Sequence, residues 1–238
     1  MAEVERVPLF VELIGEAEAG KTHLSCLFPK PIVFDTTPKK EAYVIVRKLH
    51  SDWKRRHIPV RSFEDIRKGL EYVKKYPNDF KTVVFDTAAD LRDLGSKEYL
   101  EELNKAGKER QALMPQEYRW VNEKIDAIID KVTSEMGLNL VFISQMRDEW
   151  KDGKSTGRRI RKGYPKTNFQ ADLRLYLSVD KVLDEKTMQY KDEYVRKCLV
   201  IKNRFRNKTD AEWVKELNDL SWKGIVELCK LKEGERVE

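Results

Sequence analysis

Residues Gly15-Glu16-Ala17-Glu18-Ala19-Gly20-Lys21-Thr22 fit the spacing G-x-x-x-x-G-K-[ST] and follow the apolar run Val11-Glu12-Leu13-Ile14, which reads as a short buried strand. This stretch obliges the chain to build a strand, a tight turn and a helix in immediate succession. The two glycines let successive backbone N–H groups converge on one oxygen cluster, and the helix adds the positive end of its dipole. Gly15 to Thr22, with His23 after them, are the expected phosphate-binding residues. Lys21 is placed to reach β- and γ-phosphates, and Thr22 to offer a hydroxyl to Mg²⁺, a hard cation that needs only one or two protein oxygens. The competing reading is a chance match in a glycine-containing turn, against which the flanking strand and helix argue.

Three more apolar runs extend this beginning into a sheet. Ile32-Val33-Phe34-Asp35 and Lys81-Thr82-Val83-Val84-Phe85-Asp86 each end in an acid, and Leu138-Asn139-Leu140-Val141-Phe142-Ile143-Ser144-Gln145 ends in an amide. The second run has the Walker B pattern, which places Asp86 beside Thr22 to hold Mg²⁺ directly or through water. A long helix from Gln116 to Met136, with Val121, Ile125, Ile128, Ile129 and Val132 on one stripe, joins the second run to the third, so the sheet is parallel. Gln145 is expected just past its strand, within reach of a γ-phosphate, or else as a solvated turn residue. Between these landmarks we expect a helix over Lys40 to Arg56, an edge strand at Ile58 to Arg61, and a capping box at Ser62-Phe63-Glu64-Asp65. Leu91 to Gln116 is polar and poorly periodic and reads as a mobile excursion. Leu173 to Val179 and Lys197 to Ile201 read as late strands joined by a hairpin connection from Asp180 to Tyr194. Helices capped by Thr209 or Asp210 and by Ser221 follow, giving a core at 1–208 and a helical extension at 209–238 packed on it.

A chain of 238 residues suits one α/β domain. No apolar run approaches the length of a membrane span, and Met1 to Arg6 lacks the pattern of a signal peptide, so the expectation is a cytoplasmic protein without a membrane partner. Three cysteines with no C-x-x-C spacing suggest neither a disulfide framework nor a zinc site. A charged fraction of 37% resembles thermophile surfaces. Net charge is +6, and Lys151 to Lys166 accounts for it with seven basic residues against Asp152 alone. Three glycines and a proline make this segment a loop or loose hairpin. Its Lys154, Arg158, Arg159, Arg161, Lys162 and Lys166 could neutralise nucleic-acid phosphates, while Trp150 and Tyr164 at its margins could stack on bases. The alternative is a solvated charged loop.

Together these residues resemble the RecA/RadA/DnaB-like P-loop ATPases, especially the compact single-domain type carried by phages and archaeal viruses. The resemblance covers about Val7 to Lys208 and rests on Gly15 to Thr22, the strand ending at Asp86, the strand ending in Ser144-Gln145 and the strand ending in Lys202-Asn203-Arg204. It implies an α/β RecA-like fold, a mostly parallel sheet flanked by helices with antiparallel C-terminal edge strands. It also implies ATP and Mg²⁺ as cofactors. Gln145 would couple the γ-phosphate to a DNA-binding loop at Arg147 to Lys166, and Lys202 and Arg204 would act as cations reaching a neighbour's nucleotide in a ring or filament. The implied function is an ATPase that binds DNA, preferably single-stranded, in recombination, annealing or replication. The alternative is a KaiC-like regulatory ATPase module with protein partners and no direct DNA binding. One departure stands out: the family's glutamate two residues after the acid of the second strand is Thr37 here, which leaves Glu41 as the candidate for activating water.

Overall fold

The computed structural model describes residues 8–108, 110–184, 189–206 and 215–229. In it the apolar runs form the centre of an eight-stranded sheet: β1 (Phe10–Gly15), β2 (Pro31–Asp35), β4 (Thr82–Asp86) and β5 (Asn139–Lys151). With β3 (His57–Pro59), β7 (Leu173–Asp184) and β8 (Gln189–Asn203) the order is β3-β2-β4-β5-β1-β7-β8, while β6 (Lys154–Lys162) pairs with β5. All neighbours are parallel except β7 with β8 and β5 with β6. The antiparallel edge therefore comes from β8, since β7 runs parallel to β1. This is the RecA-like P-loop arrangement expected from the sequence.

The runs are apolar without interruption because both sheet faces are covered. Ile32, Phe34, Val83, Phe85, Leu140 and Phe142 enter one core with residues of α4 (Phe63–Lys75) and α6 (Tyr118–Asp130). Val33, Val84, Val141 and Ile143, which alternate with them, enter a second core with α1 (Lys21–Ser25), α2 (Ala42–Leu49) and α8 (Trp222–Leu228). Leu217, Ile225 and Leu228 of the C-terminal stretch are buried in this second core. The expected caps at Thr209 and Asp210 lie outside the described residues. Ser62 and Asp65 do form the capping box, with Ser62 Oγ accepting from Asp65 N at 3.2 Å and Asp65 Oδ2 accepting from Ser62 N at 3.0 Å.

Four expectations change. The polar stretch after Leu91 is largely helical: α5 spans Ala88–Lys105, capped by Thr87, whose Oγ1 accepts from Asp90 N at 3.2 Å. It shows no apolar stripe because its buried side is made of small residues, Ala88, Ala89 and Gly95, besides Leu91 and Leu103. The helix over Lys40 to Arg56 breaks at His50 into α2 and α3 (Trp53–Arg56). The basic segment, expected as a loop or loose hairpin, is a hairpin: β5 turns into β6 at Asp152 and Gly153, whose φ angles of 50° and 74° make the two-residue turn that matches strand twist, and its pairing shifts register between Asp148 and Trp150. Accordingly β5 does not stop at Gln145 but continues to Lys151. Within the expected connection from Asp180 to Tyr194, β7 and β8 extend to Asp184 and from Gln189. Among the described residues no helix is long and apolar enough to cross a membrane.

Candidate nucleotide site

The phosphate loop leaves β1 at the carboxyl edge of the sheet, where the register sets Gly15 between Gln145 of β5 and Leu177 of β7. Gly15 has to be glycine, because a Cβ there would stand 2.2 Å from the Leu177 carbonyl oxygen. Lys21 opens α1 with its side chain folded back under the loop, donating to the carbonyls of Gly15 at 3.0 Å and of Glu16. Burial pulls its pKa down, opposed by the nearby carboxylates of Asp86 and Glu16. One position on, Thr22 Oγ1 donates to Asp86 Oδ2 at 2.7 Å. Asp86 is 5% exposed, and burial pushes its carboxyl up to about 6, helped by the neighbouring Asp35.

Thr22 and Asp86 therefore meet as the motif spacing requires. A hydroxyl and a carboxylate are hard oxygens suited to Mg²⁺, which keeps most of its waters. Among the described residues no group of three or more His, Cys, Asp or Glu is arranged to hold a metal ion. A pocket of about 600 Å³ opens beside the loop, lined by Glu18 to Leu24, including His23, and by Leu27, Ile45, Lys48, Leu177, Arg196 and Leu220. Lys48, Arg196 and Leu220 were not foreseen, because nothing in their spacing ties them to the motif; they arrive through the topology of α2, β8 and the C-terminal stretch.

Other sequence candidates fall elsewhere. Asp35 is fully buried with its carboxylate occupied by Thr37 N and Oγ1, by Ala42 N and by His57 Nε2 at 3.0 Å, so it braces the end of β2. Glu41 stands exposed at the start of α2 and does not line the pocket. Gln145 is exposed and level with Gly15, within the continuous strand instead of beyond its end. Lys202 and Arg204 are displaced furthest from expectation. Because β8 runs antiparallel, Lys202 pairs with Arg174 near the amino end of β1, three residues of β7 away from the Leu177 level where the loop begins. Their head groups bind carbonyls of α7 (Thr167–Gln170) and its flank, Lys202 those of Asn168, Phe169 and Ala171, Arg204 those of Phe169 and Gln170, and Arg204 also pairs with Asp172 at 2.7 Å. Within one chain, then, both head groups are engaged by the α7 segment and neither lines the pocket beside the phosphate loop.

The six hairpin cations divide in two. Arg161 is turned inward onto Glu12, a fully buried acid of β1 that also accepts from Arg174 Nε at 2.7 Å and Ser144 Oγ at 2.7 Å. Lys162 pairs with Asp93 at 3.1 Å, Lys166 with Asp126, and Arg159 with Glu16 of the phosphate loop at 2.8 Å. Lys154 and Arg158 make no ion pair among the described residues and are exposed; Trp150, 65% exposed, pairs with Ser155 and so lies on the other face of the ribbon from Lys154. Tyr164, expected as a stacking ring, is instead fully buried, its hydroxyl bound to Asp126 at 2.8 Å.

No curated protein matches the chain. Among solved structures it is similar to a KaiC-like protein from the hyperthermophilic archaeon Pyrococcus horikoshii OT3, at 19% identity over 82% of this chain and 79% of that one, with a TM-score of 0.47. The phosphate loop, its carboxylate partner and the sheet that joins them all lie inside residues 8–209, which match the family model described as an AAA domain, and the chain belongs to that family.

Proposed function

We propose that the chain is a Mg²⁺-dependent ATPase that binds single-stranded DNA on the β5–β6 hairpin, working as an oligomer in recombination, annealing or replication. The observation that carries the ATPase reading is the 2.7 Å hydrogen bond between Thr22 and Asp86, since it brings the loop hydroxyl and the strand-end acid of the motif to one point. Mg²⁺ bound there supplies charge neutralisation at the transferring phosphoryl group. The loop amides and Lys21 orient the phosphates, and Gln145, exposed level with Gly15, is free to orient water or a γ-phosphate oxygen.

The DNA reading is supported by the exposed outer part of the hairpin, which carries the unpaired cations Lys154 and Arg158 and the exposed ring of Trp150. The Arg159–Glu16 ion pair ties that hairpin to the phosphate loop and gives DNA a short route to the nucleotide. ATP turnover with Mg²⁺, measured with and without single-stranded DNA, tests both parts. Stimulation that weakens with salt supports the proposal. Turnover with no DNA binding at low salt leaves an ATPase and moves the reading to a KaiC-like regulatory module; absence of ATP binding ends it.

A further inference from the structure

We infer that Arg196, on the antiparallel edge strand, is a nucleotide-binding side chain that supplies a cation to the phosphate chain from within the same molecule. This deepens the nucleotide reading above and rests on it. Three observations converge. The first is position: a Cβ placed on Gly20 would stand 3.2 Å from Arg196 Nε and 3.4 Å from its Cδ, so the arginine lies in packing distance of the loop residue that precedes Lys21. Gly20 itself has φ 90°, a conformation that turns its neighbours' N–H groups toward the phosphate cradle and that only glycine adopts freely.

Second, the strand geometry explains how Arg196 comes to that place. β8 pairs Cys198 with Leu177, which is level with Gly15, so Arg196 lies two residues beyond the point where the loop leaves the sheet. Alternation puts Arg196 on the face of Cys198 and Val200, both buried in the core that holds α1, so its side chain must cross over the α1 side of the loop. Third, its charge is not engaged. Arg159, Arg161, Arg174 and Arg204 each hold a carboxylate, whereas Arg196 has neither an ion pair nor a side-chain hydrogen bond among the described residues, and it lines the pocket beside the loop. A planar guanidinium presenting two parallel donors suits phosphate oxygens. Charge delivered by a side chain of the same chain also fits the finding that Lys202 and Arg204 are occupied at the opposite end of the sheet.

The test uses direct binding of Mg²⁺·ATP, ADP and adenosine to the full chain and to Arg196→Ala and Arg196→Lys, with Lys21→Ala as a control for the loop. We expect Arg196→Ala to weaken ATP and ADP by about ten- to a hundredfold, the usual worth of a charge-assisted hydrogen bond, with adenosine binding unchanged. Arg196→Lys should recover part of the loss, and thermal unfolding of both variants should match the wild type, because no partner is abandoned. Equal ATP affinity in Arg196→Ala, while Lys21→Ala loses it, overturns the role of Arg196 alone. A loss that is equal for adenosine also overturns it, since packing of the stem and not charge would then be responsible. If the wild-type chain binds no nucleotide, the loop reading and this inference fall together.

Discussion

Asp86→Asn should make the metal-free protein more stable while removing its response to Mg²⁺·ATP. The carboxyl is buried and pushed from 3.8 up to about 6. At neutral pH the fold therefore carries an ionised group at a cost of about 3 kcal/mol, from about 1.4 kcal/mol per pKa unit. Asparagine removes that charge and can still accept from Thr22, but its amide needs an acceptor, which offsets about 1–2 kcal/mol. A net gain of about 1–2 kcal/mol corresponds to a rise of roughly 2–8 °C in Tm for a chain of this size. The sign follows from proton binding: between the unfolded and folded pKa the native state holds more protons, so wild-type stability rises as pH falls through about 6. The advantage of the mutant must then close as pH approaches about 4. Thermal unfolding in a chelator from pH 4 to 8, repeated with Mg²⁺·ATP, measures both effects. Saturating ligand at about a hundred times Kd adds about 2.7 kcal/mol to a protein that binds it, so the wild type should overtake the mutant when nucleotide is added. A mutant that melts below the wild type in chelator, or one stabilised fully by Mg²⁺·ATP, would refute the reasoning.

Further outcomes follow from the same geometry. Lys21→Ala should abolish ATP binding by calorimetry while leaving cooperative unfolding intact, since its ammonium satisfies only loop carbonyls. Arg161→Ala should destabilise by about 2–4 kcal/mol in denaturant titrations, because it strips one of two arginines from buried Glu12. By contrast Lys154→Ala and Arg158→Ala should each stay within about 0.5 kcal/mol yet weaken single-stranded DNA binding, flattening its salt dependence by about 0.7 for each phosphate no longer neutralised. Glu41→Gln should change the ATPase rate by less than a few-fold; a fall of about a hundredfold would restore Glu41 as the water-activating base.

The parallel core is readable in the sequence because burial on both faces leaves an uninterrupted apolar signature, and the loop because its chemistry needs fixed spacing. Helix α5 hides its amphipathicity behind alanines and a glycine, whose smallness is what lets it approach α6: a Cβ on Gly95 would come within 2.9 Å of Val121 Cγ1. The hairpin had a local signal in Asp152-Gly153, flanked by cations that resemble loop sequence. Arg161 and Arg158 are indistinguishable by spacing. What separates them is Glu12, an acid inside an apolar run and 149 residues from Arg161, which demanded an internal cation without naming it. Arg196 carried no local mark, since its place depends on how far β8 extends beside β7.

Strand β5 passes without interruption from the floor of the sheet, level with Gly15, to the turn at Asp152. Mechanically this is a cantilever. Its root is clamped through β6 by Arg161 on Glu12, Lys162 on Asp93 and, just beyond, Tyr164 on Asp126, while about 20 Å of ribbon projects from Gln145 to Lys151. The pairing shifts register between Asp148 and Trp150, so bending concentrates there, while a small tilt at the root becomes a larger sweep at the tip. Load on the tip returns as torque on Glu12 and on the strand that carries the phosphate loop. Stiffness of the ribbon, more than any single interaction along it, would set how much work one end can do on the other.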